Sequence, residues 1–322
     1  MKIYERAQNG MEWGRSMFVV VNPAAAGGAV GEEWGEISLL LNEVLGPYGW
    51  SMTQRPGDAT ALARQALKDG FEVIVSLGGD GTHNEVVNGF FEGGEPLREG
   101  ATLGLLPHGT GGDFRKTLGL SGEMREAAEV LLRGRRRRCD VGKLTYTAEV
   151  RNTADRYFIN IASFGLSGLV DRKVNASGKR LGGTISFALA TLQALSAYKP
   201  PTVRLLIDER LEVEVEIVNV AIANGKYFGG GMKIAPNADL GDGLFDVIVV
   251  KPGDMIATVE SALKVYGGRH FESGTVSYFS AQKVQATPAS LSDVVLLDVD
   301  GESPGRLPAT FEVLPGAIQI VY

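Results

Sequence analysis

Gly78, Gly79, Asp80 and Gly81 stand together directly after the apolar, β-branched run Val73–Leu77, and Thr82, His83 and Asn84 lead into a helix-compatible stretch ending near Phe90. Glycine lets backbone N–H groups come close to an anion, and the start of a helix adds positive potential. The stretch reads either as a plain strand-to-helix turn capped by Thr82 or as a cradle for phosphate. An acid inside such a cradle would repel phosphate unless a divalent cation stood between them, so Asp80 points to a nucleotide with Mg²⁺. No Gly-Lys-Ser/Thr closes the loop and no GxGxxG is present, which separates it from two commoner phosphate loops.

Four other stretches have residue types that could serve the same chemistry. "VNPAAAGG" (Val21–Gly28) ends a strand in small residues, so that Asn22 or the backbone could approach a nucleotide. "LPHGTGGDF" (Leu106–Phe114) repeats the pattern of glycines with an acid, and Asp113 lies 33 positions after Asp80 (113 − 80). "APNADLGDGLFD" (Ala235–Asp246) sets three acids and two glycines before a strand, which suits either a hard cation or a solvated turn. "LLDVDGESPG" (Leu296–Gly305) puts Asp300 and Glu302 at the end of an apolar strand, where acids are more often simply solvated.

The elements that must position these residues fall into two halves. From residue 16 to about 140, strand-like runs ("MFVVVN", "VIVSLGG", "ATLGLLP") alternate with helical ones. The helical runs are "EEWGEISLLLNEVL", "ATALARQALKD" with Asp58 as its cap and Gly70 at its end, and "GEMREAAEVLLRG". This alternation predicts a doubly wound parallel sheet with ligands beyond the carboxyl ends of its strands, where each glycine turn falls. From about Val141 short strands predominate: "RYFINIAS", "TVRLLID", "LEVEVEIVNVAIAN", "LFDVIVV", "GTVSYFSAQKVQA", "DVVLLDVDG" and "AIQIVY", with helices expected at Leu181–Tyr198 and Pro252–Tyr266. The expected layout is an N-terminal extension (1–15), an α/β nucleotide-binding domain (16–140) and a β-rich, sandwich-like domain (141–322), with the site in the cleft between the two domains.

Composition sets bounds on function. The chain has 322 residues, 44% hydrophobic and 22% charged, as in an ordinary globular protein. A net charge of −6 supplies no general field for nucleic acid. The single Cys139 excludes an internal disulfide and a cysteine zinc cluster. His83, His108 and His270 lack metal-ligand spacing. No apolar run reaches membrane-spanning length and residues 1–15 do not read as a secretory signal, so a cytoplasmic protein that meets membranes from the surface is expected. Arg133 and Arg135–Arg138 place five arginines in six positions, a run that is either a solvated face or an attractor of anionic headgroups.

Taken together and in order, "NPAAAGG", "GGDGTHNEVVNG", "FINIASFGLSGLV", "IANGKYFGGGMKIAPNADLGDGLFDV" and "DVDGES" resemble the diacylglycerol kinase catalytic family, which is distantly related to NAD kinases through the GGDGT turn. The resemblance implies ATP bound at the domain cleft and transfer of a phosphoryl group to a lipid hydroxyl; peripheral contact with a membrane surface is expected, and whether the protein is a homodimer is left open. It implies nucleotide contacts from Asn22, Thr53, Gly78, Gly79, Asp80, Gly81, Thr82, His83, Asn84 and Thr110, with Asp80 acting through Mg²⁺. It also implies a structural Mg²⁺ held by Asp239, Asp242 and the Leu244 carbonyl. Glu302 would be the proton acceptor, with Asp300 the competing candidate. Where the family shows Gly-Thr-x-Asn-Asp, this chain has Gly109, Thr110, Gly111, Gly112 and Asp113. The rival readings are an NAD kinase and a non-catalytic lipid or nucleotide sensor.

Overall fold

The computed structural model describes residues 16–108, 112–148, 152–170, 198–253, 265–268, 270, 274–290 and 292–322. The expected N-terminal extension, most of the two helices expected in the second half, and Thr110 lie outside the described residues. The chain divides into two compact units, one running to Cys139 and taking in Gly316–Tyr322, the other Asp140–Pro315.

The first unit is an α/β layer structure. Its strands are β1 (Met17–Val21), β2 (Gly49–Met52), β3 (Val73–Gly78), the two-residue pair β4 (Phe91–Glu92) and β5 (Glu95–Pro96), and β6 (Thr102–Pro107). Its helices are α1 (Ala29–Glu32), α2 (Trp34–Leu45), α3 (Asp58–Lys68), α4 (Asp80–Asn88), α5 (Asp113–Leu118) and α6 (Met124–Arg133). β6, β3, β1 and β2 pair in parallel in that order. Every residue of β1, β3 and β6 is buried, as a strand covered on both faces requires. Val19, Val21, Val75 and Leu77 cluster with Ile37 and Leu41 of α2 and with Ala128 and Leu131 of α6. The alternate residues Phe18, Val20 and Ile74 are equally buried, and α3 and α4 contact β1 and β3.

The end of the chain returns to this unit. Gln319 and Ile320 pair in parallel with Thr102 and Leu103 of β6, so the last strand extends a sheet that the sequence pattern had closed at residue 140. The arginine run opens the next strand, β7 (Arg136–Ala148), and the Arg137 guanidinium lies 5.4 Å from the Tyr322 ring centroid.

The second unit is antiparallel. β7 pairs with β8 (Thr153–Phe158). β11 (Leu211–Glu216), β10 (Thr202–Ile207), β15 (Lys283–Pro288) and β17 (Gly305–Val321) pair in that order. A second sheet runs β14 (Val276–Ala281), β13 (Phe245–Val250), β12 (Asn219–Ala223), β9 (Ile161–Gly165) and β16 (Leu297–Val299). One apolar core joins the two sheets. Phe164 of β9 stacks on Phe311 of β17 at 5.8 Å, and Phe158 of β8 on Phe245 of β13 at 5.5 Å.

Three runs expected as single strands are each two. "RYFINIAS" breaks between β8 and β9, "LEVEVEIVNVAIAN" between β11 and β12, and "GTVSYFSAQKVQA" between β14 and β15. At the last two breaks the chain changes sheets within a few residues, with no glycine or proline to mark the place.

Two expected caps are also corrected. Gly57, in the left-handed region, precedes α3, and the Asp58 carboxylate instead accepts the Gln54 and Arg55 N–H groups of the turn before it. Helix α4 begins at Asp80, so Thr82 sits inside it.

Gly89 at the end of α4 marks the closest approach of α3: a Cβ there would lie 2.6 Å from the Thr60 carbonyl and 2.7 Å from the Ala63 Cβ. Gly89→Val is therefore expected to destabilise the protein by about 1–3 kcal/mol through overpacking, read from the midpoint of urea unfolding. An unchanged midpoint would mean that the two helices separate at little cost.

Candidate active site

Three connections hold the turns of the first unit together. Asn22, just after β1, accepts the Ala24 N–H through Oδ1 at 3.0 Å and donates from Nδ2 to the Thr82 hydroxyl at 2.9 Å. Thr82 lies directly over Gly78, where a Cβ would meet its Oγ1 at 2.5 Å. The requirement for glycine at 78 is thus a packing requirement set by the α4 side chain four positions on.

The second connection is Asp80. Its Oδ2 accepts the Asp113 N–H at 3.0 Å and its Oδ1 the Phe114 N–H at 3.2 Å. The acid of the turn after β3 therefore binds the first backbone amides of α5, in the turn after β6. Asp113, the acid of that second turn, accepts the Lys116 ammonium at 3.1 Å. An Asp80 tied in this way is part of the frame, in addition to the Mg²⁺-linked role the sequence suggested.

The third is His83, almost fully buried in α4, whose Nδ1 pairs with Ser76 Oγ of β3 at 2.8 Å. Burial pushes its pKa down to about 4, against the pull of the Asp80 charge, so the ring is neutral near pH 7. Its Nε2 has no hydrogen-bond partner among the described residues. Asn84 is buried as well, and Asn88 Nδ2 donates to both its backbone and side-chain oxygens. Thr53 follows β2, its N–H donating to the Val21 carbonyl. Gly78, Gly79, His83, His108, Gly112 and Arg115 line a cavity of about 290 Å³ at these turns.

In the second unit, Asp300 and Gly301 form a two-residue hairpin turn. Both have positive φ, and Val299 and Glu302 exchange N–H···O bonds of 2.8 and 3.0 Å. This is the type I′ pattern that Asp-Gly favours. The Asp300 carboxylate is buried and accepts three consecutive amides: Ile159 at 3.1 Å, Asn160 at 3.2 Å and Ile161 at 2.8 Å. That cluster of amides is what breaks "RYFINIAS" into two strands. It also commits Asp300 to the backbone, whereas Glu302 projects from the turn with its side chain part-exposed, its Oε2 accepting Arg156 Nη2.

The acidic loop is built from Asx turns: Asp239 Oδ1 accepts Gly241 N–H at 3.1 Å, and Asp242 Oδ1 accepts Leu244 N–H at 3.0 Å. Asp140 closes the loop from β7, accepting Gly243 N–H at 2.7 Å. Burial, and then the nearby Asp242 charge, raise the Asp246 carboxyl above its ordinary value even though the Tyr278 hydroxyl donates to it. Carboxylate and backbone-carbonyl oxygens are the donor type a hard cation takes. Among the described residues no group of three or more His, Cys, Asp or Glu forms a metal cluster. The sequence did not single out Ser76, Arg115, Asp140 or Arg156; Asp140 and Arg156 find their partners far along the chain, and Arg115 stands in no recognisable motif.

A family model described as the diacylglycerol kinase catalytic domain matches residues 16–144, and one described as the YegS C-terminal NAD kinase beta sandwich-like domain matches residues 160–322. A diacylglycerol kinase of Bacillus subtilis is 32% identical over 267 residues, 82% of each chain. The chain belongs to the diacylglycerol kinase family. It is a kinase, as the family's name states. Another diacylglycerol kinase, from Staphylococcus saprophyticus, is 30% identical over 83% of this chain and 82% of its own. A crystal structure of a diacylglycerol kinase from Bacillus anthracis superposes with a TM-score of 0.73 at 26% identity, covering 97% of this chain and 98% of that one. In this diacylglycerol kinase family member, the α/β and antiparallel units expected from the sequence are both present.

Two predictions follow from the buried carboxylates. Asp300→Ala leaves three amides without an acceptor and should cost at least about 3 kcal/mol, at roughly 1–3 kcal/mol for each buried donor, measured by urea unfolding. A loss under 1 kcal/mol would show that water replaces the carboxylate. Asp246 has a raised folded-state pKa, so its contribution to stability is complete below the ordinary carboxylate value and is lost as pH rises through the folded value. In cation-free buffer, Asp246→Asn should therefore gain stability relative to wild type as the pH rises from about 4 to 7. A constant difference across that range would contradict the shift.

Proposed function

We propose that this kinase transfers the γ-phosphoryl group of ATP to a lipid hydroxyl, with diacylglycerol the first candidate. The observation that carries the reading is the glycine turn after β3 tied by Asp80 to the start of α5 beside a cavity, in a chain whose relatives are named for that lipid. Phosphoryl transfer needs positioning and neutralisation of phosphate charge more than covalent help from the protein. Gly78 and Gly79 present a side-chain-free surface at the cavity, and Asn22 and Thr82 fix its edge.

Two of the roughly four lone-pair positions of Asp80 are used by amides, which leaves the others for a metal-bound water. Mg²⁺, when bound with ATP, would supply neutralisation of the phosphate oxygens. The Asp239–Asp242 loop, with the Leu244 carbonyl, would hold a second, structural Mg²⁺, and this fits its excess of negative charge.

Glu302 is the proposed proton acceptor. Arg156 engages Oε2, so Oε1 would accept the hydroxyl proton as the bond to phosphorus forms. A carboxylate is far less basic than an alkoxide, so proton transfer accompanies phosphoryl transfer and does not precede it. Asp300, occupied by three amides, would hold the turn that carries Glu302. The lipid would be met at a bilayer surface, since no helix among the described residues is long and apolar enough to cross a membrane. Arg135 and Arg138, both exposed, would favour anionic surfaces.

The test is a radiolabelled-ATP assay on mixed micelles containing diacylglycerol, a sphingoid base, ceramide or phosphatidylglycerol, with NAD as a soluble acceptor. Mg²⁺-dependent labelling of a lipid is expected, and labelling of NAD alone would overturn the reading. Glu302→Gln should lower kcat by about 10²–10⁴-fold with ATP affinity nearly unchanged. Full kcat in that variant would remove Glu302 from the chemistry.

A further inference from the structure

We infer that Arg115 binds the phosphoryl oxygens of the nucleotide, and that glycine at position 112 is what gives its guanidinium room to do so. The inference rests on the nucleotide reading above and adds a residue to it. Arg115 lines the cavity at the two glycine turns. One of its N–H groups donates to the Leu120 carbonyl at 3.0 Å, and the Leu120 N–H returns a bond to the Arg115 carbonyl at 3.1 Å. The stem is therefore anchored at the end of α5.

The charge is not neutralised. Arg115 has no carboxylate within ion-pair distance among the described residues. Of the acids at these turns, Asp80 is engaged by the Asp113 and Phe114 amides and Asp113 by Lys116. A guanidinium carries five N–H donors in a planar fork that matches phosphate oxygens. A half-buried arginine with most of its donors unused, beside a cavity floored by glycines, is electrostatically incomplete, and an oxyanion completes it.

Gly112 and Gly122 flank the guanidinium. A Cβ on Gly112 would stand 3.0 Å from Nε and 3.5 Å from Nη2, and one on Gly122 would stand 3.5 Å from Nη1. Position 112 thus sets the placement of the fork. Gly112 has a φ of +60°, a region that asparagine tolerates better than most residues, so Gly112→Asn can crowd the guanidinium without breaking the turn.

The experiment is calorimetric titration of ATP, adenosine and inorganic phosphate into wild type, Arg115→Gln, Arg115→Lys, Gly112→Asn and the Gly112→Asn/Arg115→Gln double variant. Melting temperature without ligand checks each fold. Arg115→Gln should weaken ATP binding about tenfold to a hundredfold, the range for a hydrogen bond to a charged group, and leave adenosine binding unchanged. Arg115→Lys, which keeps the charge and loses the fork, should fall between, with a steeper dependence on salt. Gly112→Asn should weaken ATP binding and add little in the Arg115→Gln background, because both act on one contact.

Equal ATP affinity in wild type and Arg115→Gln would overturn the inference and leave the nucleotide site standing. Equal losses for ATP and adenosine would reduce Arg115 to a structural role. Phosphate binding as tight as ATP binding would reassign the contact to free phosphate. Absence of ATP binding by wild type would overturn the site reading itself.

Discussion

The carboxylate of Asp80 is the constraint on which the first unit's site depends. Glycine-rich turns are the least self-supporting parts of a parallel sheet, since they lack side chains to pack and lose the most conformational freedom on ordering. Here the turn after β3 is tied to the start of α5 by one carboxylate accepting two amides. Neighbouring bonds extend the brace: Asn22 to Thr82 across the first turn, and His83 to Ser76 beneath the helix. The start of α4 and the start of α5 are in this way held together by the protein's own bonds.

The second unit uses the same physics with the roles divided. Asp300 is buried and committed to three amides, and its turn carries the adjacent Glu302 outward. A buried carboxylate that accepts several backbone amides is held in place by them. A part-exposed carboxylate beside an arginine is set in orientation and keeps an oxygen available. The division explains why two acids two positions apart have different roles, and why the turn between them is Asp-Gly.

Much of the fold was legible because its signals are local. The apolar runs at Val73–Leu77 and Thr102–Pro107, each ended by glycines, give parallel strands with turns at their carboxyl ends, and the pattern of "GEMREAAEVLLRG" gives a helix that buries Ala127, Ala128 and Leu131. What the sequence did not show depends on partners far along the chain. "RYFINIAS" breaks because a carboxylate about 140 positions later gathers its amides. Asp58 and Thr82 looked like caps by residue type, but a nearby turn claims the first and Asn22 claims the second. Arg115 belongs to no motif, and its lack of a carboxylate partner among the described residues exists only in three dimensions.

The central claim is that Asp80 ties the turn after β3 to the start of α5 before any ligand binds. The direct measurement is native-state hydrogen exchange at the Asp113 and Phe114 amides, in wild type and Asp80→Asn, without ligand and with ATP. The account predicts strong protection of both amides in unliganded wild type, loss of protection in Asp80→Asn while β3 and β6 stay protected, and loss of ATP binding in parallel. Rapid exchange of both amides in unliganded wild type, with protection arising only when ATP binds, would contradict it.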